Sequence, residues 1–313
     1  MSARAFEWRD LIALHHYRSQ GLFLDSARVL TTGPIFAPAG ALLSSFSPTI
    51  GFFTAVQQGT DSEAQFFGQV SHLSGSPSAH LSFLAPVSFL DQPRLSELVE
   101  FLAAALGERG AMHLVAEVEE HSEVQSLLRQ TGFGIYARQR IWRLEHIEHA
   151  SPEKSWWRVA RRQDEAAIRF LYSNLVPGLV QQVESLPTSR LQGLVYYRGT
   201  ELLAFVDLTS GLNGVYAIPY IHPDAEGVAE QLFGLLRRMP GWRSRPVFLC
   251  VRSYQSWLET ALDDIKAEPG EFQAVMVRRM AVRRMSPVLA TPALNGSSAE
   301  TSLPVARIQR EHL

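Results

Sequence analysis

Apolar and polar residues alternate along the chain in patterns that predict helices and strands in two similar halves. In the first half, apolar residues recur at helical spacing in the segments Phe6–Gln20, Arg94–Arg109 and Ser122–Gln130. Runs rich in β-branched and aromatic residues predict strands at Ile50–Gln57, Gln65–Leu73, Ala79–Ala85, Met112–Val118 and Gly134–Leu144. The predicted order of this half is therefore helix, hairpin, strand, helix, strand, helix, strand.

The same order of elements recurs after a polar, proline-containing segment, His146–Ser155. Helices are predicted at Val159–Asn174, Val228–Arg238 and Ser256–Ile265. Strands are predicted at Gly193–Tyr197, Glu201–Thr209, Val215–Ile221, Pro246–Arg252 and Phe272–Val282. We therefore expect an N-terminal domain at 1–146, a linker at 147–155, a C-terminal domain at 156–285 and a disordered tail at 286–313.

Composition narrows the class of protein. A chain of 313 residues with 46% hydrophobic and 19% charged residues can fill two packed cores. Its net charge of -2 creates no field that would attract nucleic acid or anionic lipid, so neither is expected as a partner. The only cysteine, Cys250, lies in an apolar run, which favours a buried structural thiol over a nucleophile. The first residues lack the apolar core of a signal peptide, which favours a cytoplasmic protein.

One uncharged segment raises the question of a membrane, and two pairs of histidines raise the question of a metal site. Residues 29–60 carry no charged side chain, but repeated prolines and glycines interrupt them too often for a helix that spans a bilayer. A membrane-associated role through residues 34–53 is the remaining alternative. His15 and His16 are adjacent on a predicted helix and cannot face one ion together, and no cysteine or acidic cluster accompanies His146 and His149. We expect no metal and no membrane partner.

Two segments resemble the GNAT family, the GCN5-related N-acetyltransferases. They are Leu127-Leu-Arg-Gln-Thr-Gly-Phe133, a helix that ends before a late strand, and Ile221-His-Pro-Asp-Ala-Glu-Gly-Val-Ala229. The resemblance extends over Phe6–Met285. It implies an α/β (α+β) fold of two tandem GNAT-like domains, each a mixed, mostly antiparallel sheet flanked by helices.

The resemblance also implies where acyl-CoA would bind. In this family the cofactor lies where two neighbouring strands splay, and backbone N–H groups at the start of the following helix hold its pyrophosphate. The C-terminal half is the expected site for acetyl-CoA, and the implied binding residues are Tyr220, Ile221, Asp224, Glu226, Gly227, Val228 and Ala229. Asp224 stands where the family has Arg or Gln, and its charge would repel a pyrophosphate. The loop before Arg94 has no glycine, so the N-terminal site is expected to be degenerate.

Three residues are candidates for catalysis. Glu117 shares a strand face with Glu119, from which a general base could reach an amine; a solvated strand end is the alternative. His222 is a second candidate base, with an exposed loop histidine as its alternative. Tyr254 follows a predicted strand and is the candidate for the family's acid, a Tyr that protonates the leaving thiolate. Leu128 stands at that position in the N-terminal half.

The resemblance predicts an acyl-CoA-dependent N-acyltransferase that acts on a small-molecule or peptide amine, with strand amides near Tyr220 polarising the thioester carbonyl. The alternative is a catalytically inactive GNAT-like binding or interaction module, which Asp224 and Leu128 favour.

Overall fold

The computed structural model describes residues 3–34, 51–58, 65–144, 157–186, 192–225, 227, 231–232, 236 and 245–280. The α-helices within them are α1 (Leu11–Tyr17), α2 (Ser26–Thr32), α3 (Gln92–Gly107), α4 (Glu123–Gln130), α5 (Glu165–Leu175), α6 (Gly178–Val183) and α7 (Leu258–Asp264). Asp25, Asp91 and Ser122 cap α2, α3 and α4 by accepting a hydrogen bond from an N–H of the first turn. Short 3-10 helices lie at Trp8–Asp10, Arg18–Gln20, Val87–Phe89, Arg162–Asp164 and Ser253–Gln255.

The strands form one continuous sheet. Those of the first half are β1 (Arg4–Ala5), β2 (Leu22–Phe23), β3 (Phe52–Gln58), β4 (Gln65–His72), β5 (Ser78–Ala85), β6 (His113–Glu119) and β7 (Gly134–Leu144). Those of the second half are β8 (Trp157–Val159), β9 (Gly193–Arg198), β10 (Glu201–Ser210), β11 (Val215–Ile221), β12 (Val247–Arg252) and β13 (Glu268–Arg279). Their order is β1-β3-β4-β5-β6-β13-β7-β12-β11-β10-β9-β8, with β2 beside β5. Among these strands, β5–β6 and β11–β12 are the parallel pairs.

The last strand of each half pairs with the other half. β13 lies between β6 and β7, both of the first half, and is antiparallel to each. β7 in turn pairs with β12 of the second half, where Gln139 lies opposite Arg252. Residues 1–282 accordingly group into one unit by their contacts. The domain boundaries at residues 146 and 156 stay a prediction, and the linker and the tail lie outside the described residues.

Helices cover both faces of the sheet. Successive strand residues face opposite sides, and β13 shows this at its centre. Met276 packs in a core with Leu98 of α3 and Leu128 of α4, whereas the adjacent Val275 packs with Leu171 of α5. The result is a mixed α/β structure with a large, mostly antiparallel sheet flanked by helices, as the fold prediction stated.

An ion pair is repeated at the start of each half. Arg4 in β1 donates two hydrogen bonds to Asp10, six residues later, at 2.7 and 2.6 Å. Arg158 in β8 donates two to Asp164 at the same spacing and the same distances. Each carboxylate also accepts a backbone N–H from three residues earlier at 2.8 Å. This matched geometry supports the internal repeat that the order of elements predicts.

Most predicted elements are present. β7 and β11 have the predicted bounds, and most other strands differ by one or two residues. The helix predicted at Val159–Asn174 is wrong at its start, because Trp157–Val159 pairs with β9 as a strand. The pattern did not predict β1, β2, α2 or α6. Of the helix predicted at Val228–Arg238, only residues 231, 232 and 236 are described, and they are helical. No helix in the described part of the chain is long and apolar enough to cross a bilayer.

Candidate functional site

Each parallel strand pair opens into a gap. β5 and β6 pair from Ser78 with His113 to His80 with Val115, and β11 and β12 pair from Val215 with Val247 to Ala217 with Leu249. Both pairs then part, although the strands continue. Backbone N–H and C=O groups that face such a gap need other partners, because leaving them buried and unpaired is costly. The two halves supply these partners differently.

Main chain fills the gap of the N-terminal half. The N–H of Leu24, just after β2, donates to the carbonyl oxygen of Ser82 in β5 at 3.1 Å. The carbonyl oxygen of Leu24 accepts the N–H of Glu117 in β6 at 2.9 Å. Leu24 is 1% exposed and packs in the core under α3. Residues 22–24 thus complete the sheet at this gap, and the degeneracy of an N-terminal cofactor site stays a prediction.

Glu117 is buried by the same segment. Its carboxylate accepts the N–H of Ser26 at 2.9 Å, and the residue is 9% exposed. The alternative of a solvated strand end is therefore wrong. Burial, followed by the charge of Asp25, raises the pKa of Glu117 above its usual range, although the hydrogen bond from Ser26 opposes this. Its role as a catalytic base stays a prediction.

A side chain crosses the gap of the C-terminal half. The carboxamide of Gln255, which is 1% exposed, accepts the N–H of Ile221 at 2.9 Å and donates to the carbonyl oxygen of Pro219 at 2.7 Å. The N–H of His222 donates to Leu203 of β10 at 2.8 Å. Alternation therefore directs the amide of Tyr220 towards β10 and that of Ile221 towards the gap. Pro219 has no N–H. Among residues 219–221, Ile221 is therefore the one whose N–H faces the gap and could polarise a thioester carbonyl.

The loop after β11 is held by its own polar groups. The N–H of Asp224 donates to Nδ1 of His222 at 3.2 Å, and its carbonyl oxygen accepts a hydrogen bond from Arg198 at 3.2 Å. Gly227 has φ +67°, a conformation that glycine adopts without strain, and its carbonyl oxygen accepts the N–H of Gln231. Glu226, Val228 and Ala229 lie outside the described residues.

A buried ion pair lies beside the C-terminal gap. Arg252, at the end of β12, is 5% exposed, and its Nη2 donates to both carboxylate oxygens of Glu184 at 2.8 and 2.9 Å. The hydroxyl of Tyr136 in β7 donates to the same carboxylate, and that of Tyr172 in α5 donates to the carbonyl oxygen of Glu184. Nε and Nη1 of Arg252 are buried with no acceptor among the described residues.

Tyrosines surround this pair in their neutral form. Burial raises the pKa values of Tyr136, Tyr172, Tyr220 and Tyr254, and the charge of Glu184 adds to the effect. Burial alone would lower the pKa of Arg252, but Glu184 and neighbouring groups raise it above its usual range. Arg252 is therefore charged and the phenols are protonated at neutral pH. Tyr254, the candidate acid, belongs to this cluster.

Two solved structures with a similar fold are named as acetyltransferases. A GCN5-related N-acetyltransferase from Sphaerobacter thermophilus is 13% identical with a TM-score of 0.51, covering 88% of this chain and 95% of its own. A putative acetyltransferase from Pyrococcus horikoshii is 10% identical with a TM-score of 0.51, covering 90% and 89%. The chain has the GNAT fold. A functionally unknown protein from Staphylococcus epidermidis matches 68% of the chain and 91% of its own at 12% identity, with a TM-score of 0.50. No protein-family model and no curated protein matches the sequence.

On this GNAT fold, the predicted site residues separate into two groups. Tyr220, Ile221, His222, Asp224 and Gly227 follow one another along the end of β11 and its loop, and Tyr254 lies next to the Gln255 that bridges the gap. Glu117 lies at the other gap. The sheet places β13, β7 and β12 between β6 and β11, a separation of about 19 Å at ~4.8 Å per strand. Glu117 and His222 therefore do not form one site.

The sequence analysis did not single out several residues of the C-terminal site. Asp207 in β10 lies opposite Ile218, on the face where Phe205 stacks on Tyr220. Burial raises the pKa of Asp207 to about 6. A charged residue within an otherwise apolar strand was the available signal for Asp207 and for Arg252. Gln255 lies just after a predicted strand and Glu184 just after α6, which was not predicted, and neither had such a signal. The described residues hold no group of three or more His, Cys, Asp or Glu that could bind a metal ion.

Proposed function

We propose that this chain is an acyl-CoA-dependent N-acyltransferase that binds acetyl-CoA in its C-terminal half and transfers the acyl group to an amine. One observation carries the proposal. The gap between β11 and β12 is crossed by the side chain of Gln255, whereas main chain fills the gap between β5 and β6. A side chain can rotate out of a gap, but residues 22–24 would have to leave the sheet.

The bonds of Gln255 indicate what could replace it. A carboxamide offers one acceptor and one donor to Ile221 and Pro219, and so does each amide of the pantetheine arm of CoA. An amide in that position would satisfy the same two backbone groups. Gln255 therefore occupies the place of the ligand in its absence, and Gly227 lies near the start of the next helix, where an anion would be stabilised.

Residues around this gap have the properties that the reaction requires. Bound acyl-CoA supplies a thioester, whose acyl group passes to the amine with release of the thiol. Asp207, with its pKa of about 6, is the proposed acceptor of the amine proton. The phenol of Tyr254 holds a proton for the leaving thiolate.

Calorimetric titration with acetyl-CoA and desulfo-CoA tests this assignment. We expect wild type to bind and Gln255→Ala to bind about fivefold to tenfold more tightly, because the ligand no longer competes with hydrogen bonds worth ~1 kcal/mol. Asp224→Arg should also bind more tightly, because a carboxylate that is 84% exposed is replaced by a cation. Gln181→Ala is the matched control, since Gln181 also bonds backbone carbonyls, on α6.

Weaker binding by Gln255→Ala than by wild type would contradict the proposed role of Gln255. Absence of binding by wild type and by both variants would reject the cofactor site itself.

One observation favours the second candidate, a catalytically inactive GNAT-like binding module. Pro219 offers no N–H to the gap, and the N–H of Ile221 is already paired, so no unpaired strand amide at these two positions awaits a carbonyl. An assay of thiol release from acetyl-CoA with a panel of amines separates the two functions. Binding without thiol release for any amine would favour the module, and amine-dependent release would favour the enzyme.

A further inference from the structure

A buried guanidinium group with unused donors is the feature that the mechanism above leaves unexplained. Nη2 of Arg252 is fully engaged by Glu184, but Nε and Nη1 have no acceptor among the described residues. Leaving a buried donor unpaired destabilises the folded protein, and more so when the donor is charged. Native structures retain such groups mainly where water or a ligand completes them, so Arg252 indicates a binding site.

The surroundings of Arg252 specify an acceptor as its missing partner. The hydroxyls of Tyr136 and Tyr172 donate to Glu184, and the thiol of Cys250 donates to Gln139 at 3.3 Å. Neutral phenols and a thiol cannot provide a strong acceptor for a guanidinium. An anionic oxygen can, because hydrogen bonds between a cation and an anion are about twice as strong as neutral ones. A carboxylate is the smallest organic group with this chemistry.

The position of Arg252 connects this site with the gap. β11 and β12 last pair at Ala217 and Leu249, and Arg252 follows three residues later, after the strands have parted. Gln255, which crosses the gap, lies three residues further on. Arg252 lies opposite Gln139 of β7, on the face where the polar side chains Gln139 and Gln273 are hydrogen bonded at 2.8 Å. A group bound by Arg252 would therefore lie beside the end of β11.

We propose that Nε and Nη1 of Arg252 bind a carboxylate of a substrate, adjacent to the carbonyl that reacts. That this carboxylate belongs to a substrate rests on the proposed function, whereas its binding does not. It has two possible sources with the same chemistry. Either the acceptor amine also carries a carboxylate, as an amino acid does, or the transferred acyl group carries one, as in succinyl-CoA.

Paired probes distinguish the two sources by calorimetry. The first arm compares the proteinogenic amino acids with their carboxamides, which differ only in the charged group. The second arm compares succinyl-CoA and malonyl-CoA with acetyl-CoA. We expect one arm to show binding of the carboxylate at least about tenfold tighter than that of its neutral partner. Equal binding in both arms would overturn the proposal and leave water as the partner of Arg252.

Variants of Arg252 test whether a measured preference for carboxylates depends on this residue. Removing Arg252 alone would leave Glu184 buried and unpaired, so the main variant is Arg252→Gln with Glu184→Gln, and Arg252→Lys is a second variant that keeps the charge. Both should abolish the preference for the carboxylate. The control is Arg169→Gln with Glu165→Gln, which removes an exposed ion pair on α5. Retention of the preference in the Arg252 variants would place the carboxylate elsewhere.

The test of the Arg252 site and the test of the proposed acyltransferase can give different results. A preference for carboxylates without any binding of acetyl-CoA would support the Arg252 site and reject the acyltransferase. Binding of acetyl-CoA and release of thiol without a preference for carboxylates would support the acyltransferase and reject the Arg252 site.

Discussion

At the scale of residues, two buried carboxylates are paired in the same way and fix the start of each half. Asp10 and Asp164 each hold an arginine six residues earlier and a backbone N–H three residues earlier. Asp164 is 2% exposed, so its charge depends on those partners. Each pair closes the connection from the first strand of its half to the first helix.

The pair of Arg158 and Asp164 predicts a specific dependence of stability on pH. The bond to Arg158, more than any other cause, lowers the pKa of Asp164 to about 2, below the unfolded value of about 3.9. Its stabilisation is therefore present above about pH 4 and lost as pH falls through about 2. Asp164→Asn should lower the free energy of unfolding by about 1–3 kcal/mol at pH 7.

Urea unfolding of wild type and Asp164→Asn between pH 2 and pH 7 measures the difference in their free energies of unfolding. The difference between the two proteins should shrink as the pH falls from 4 to 2. A difference that stays constant over this range would show that the carboxylate charge does not contribute.

At the scale of elements, the two gaps show how one architecture can be completed in two ways. Residues 22–24 act as an inserted strand segment in the first half, with Leu24 bonded to β5 on one side and to β6 on the other. In the second half, the same position holds one carboxamide. The first arrangement resists opening, because it is part of the sheet and of the core beneath α3.

Amide hydrogen exchange tests this difference between the halves. We expect the N–H groups of Leu24 and Glu117 to exchange as slowly as those within the β5–β6 ladder, since both are buried and bonded to neighbouring strands. The N–H of Ile221 should exchange faster, because a side chain alone covers it, and acetyl-CoA should slow its exchange. Rapid exchange at Leu24 in the free protein would mean that the first gap opens readily.

Local patterns determined how much of these elements the sequence could predict. Strands such as β7 and β11 have alternation or apolar runs long enough to define their bounds. β1 and β2 contain two residues each, so their identity depends on their pairing partners. α2 has seven residues, and its cap at Asp25 was the only local signal.

The candidate site was less predictable than the fold, because its bonds join distant positions. Gln255 bonds to Ile221, 34 residues away, and Arg252 bonds to Glu184, 68 residues away. The burial of Glu117 comes from Ser26, 91 residues earlier. No periodicity records such contacts. Gly227 was named from the resemblance of its segment to the family, and its φ of +67° is a conformation that favours glycine.

At the scale of the whole molecule, the exchange of β7 and β13 makes the two halves depend on each other. β6 has β13 as its neighbour on the side away from β5, and β13 comes from the second half. Without β13, β6 and β7 would each expose an unpaired edge next to apolar core. Met276 and Ala274 of β13 also belong to the core of the first half.

Separate expression of residues 1–150 and 151–313 tests this dependence. We expect neither fragment to unfold cooperatively alone, and we expect the mixed fragments to form a complex with the circular dichroism of the intact chain. Because separate folding would lose both exchanged strands, the intact protein should show one thermal transition. A cooperative transition for fragment 1–150 alone would instead support two independent domains.

The position of β13 also has a consequence during translation. The strand that completes the sheet of the first half comes after all the other described strands, so the ribosome must synthesise residues 268–279 before β6 and β7 can acquire their shared neighbour. During translation, β6 and β7 therefore lack this neighbour while more than a hundred further residues are added. A chain that stops before β13 should therefore expose the edges of β6 and β7 and be prone to aggregate.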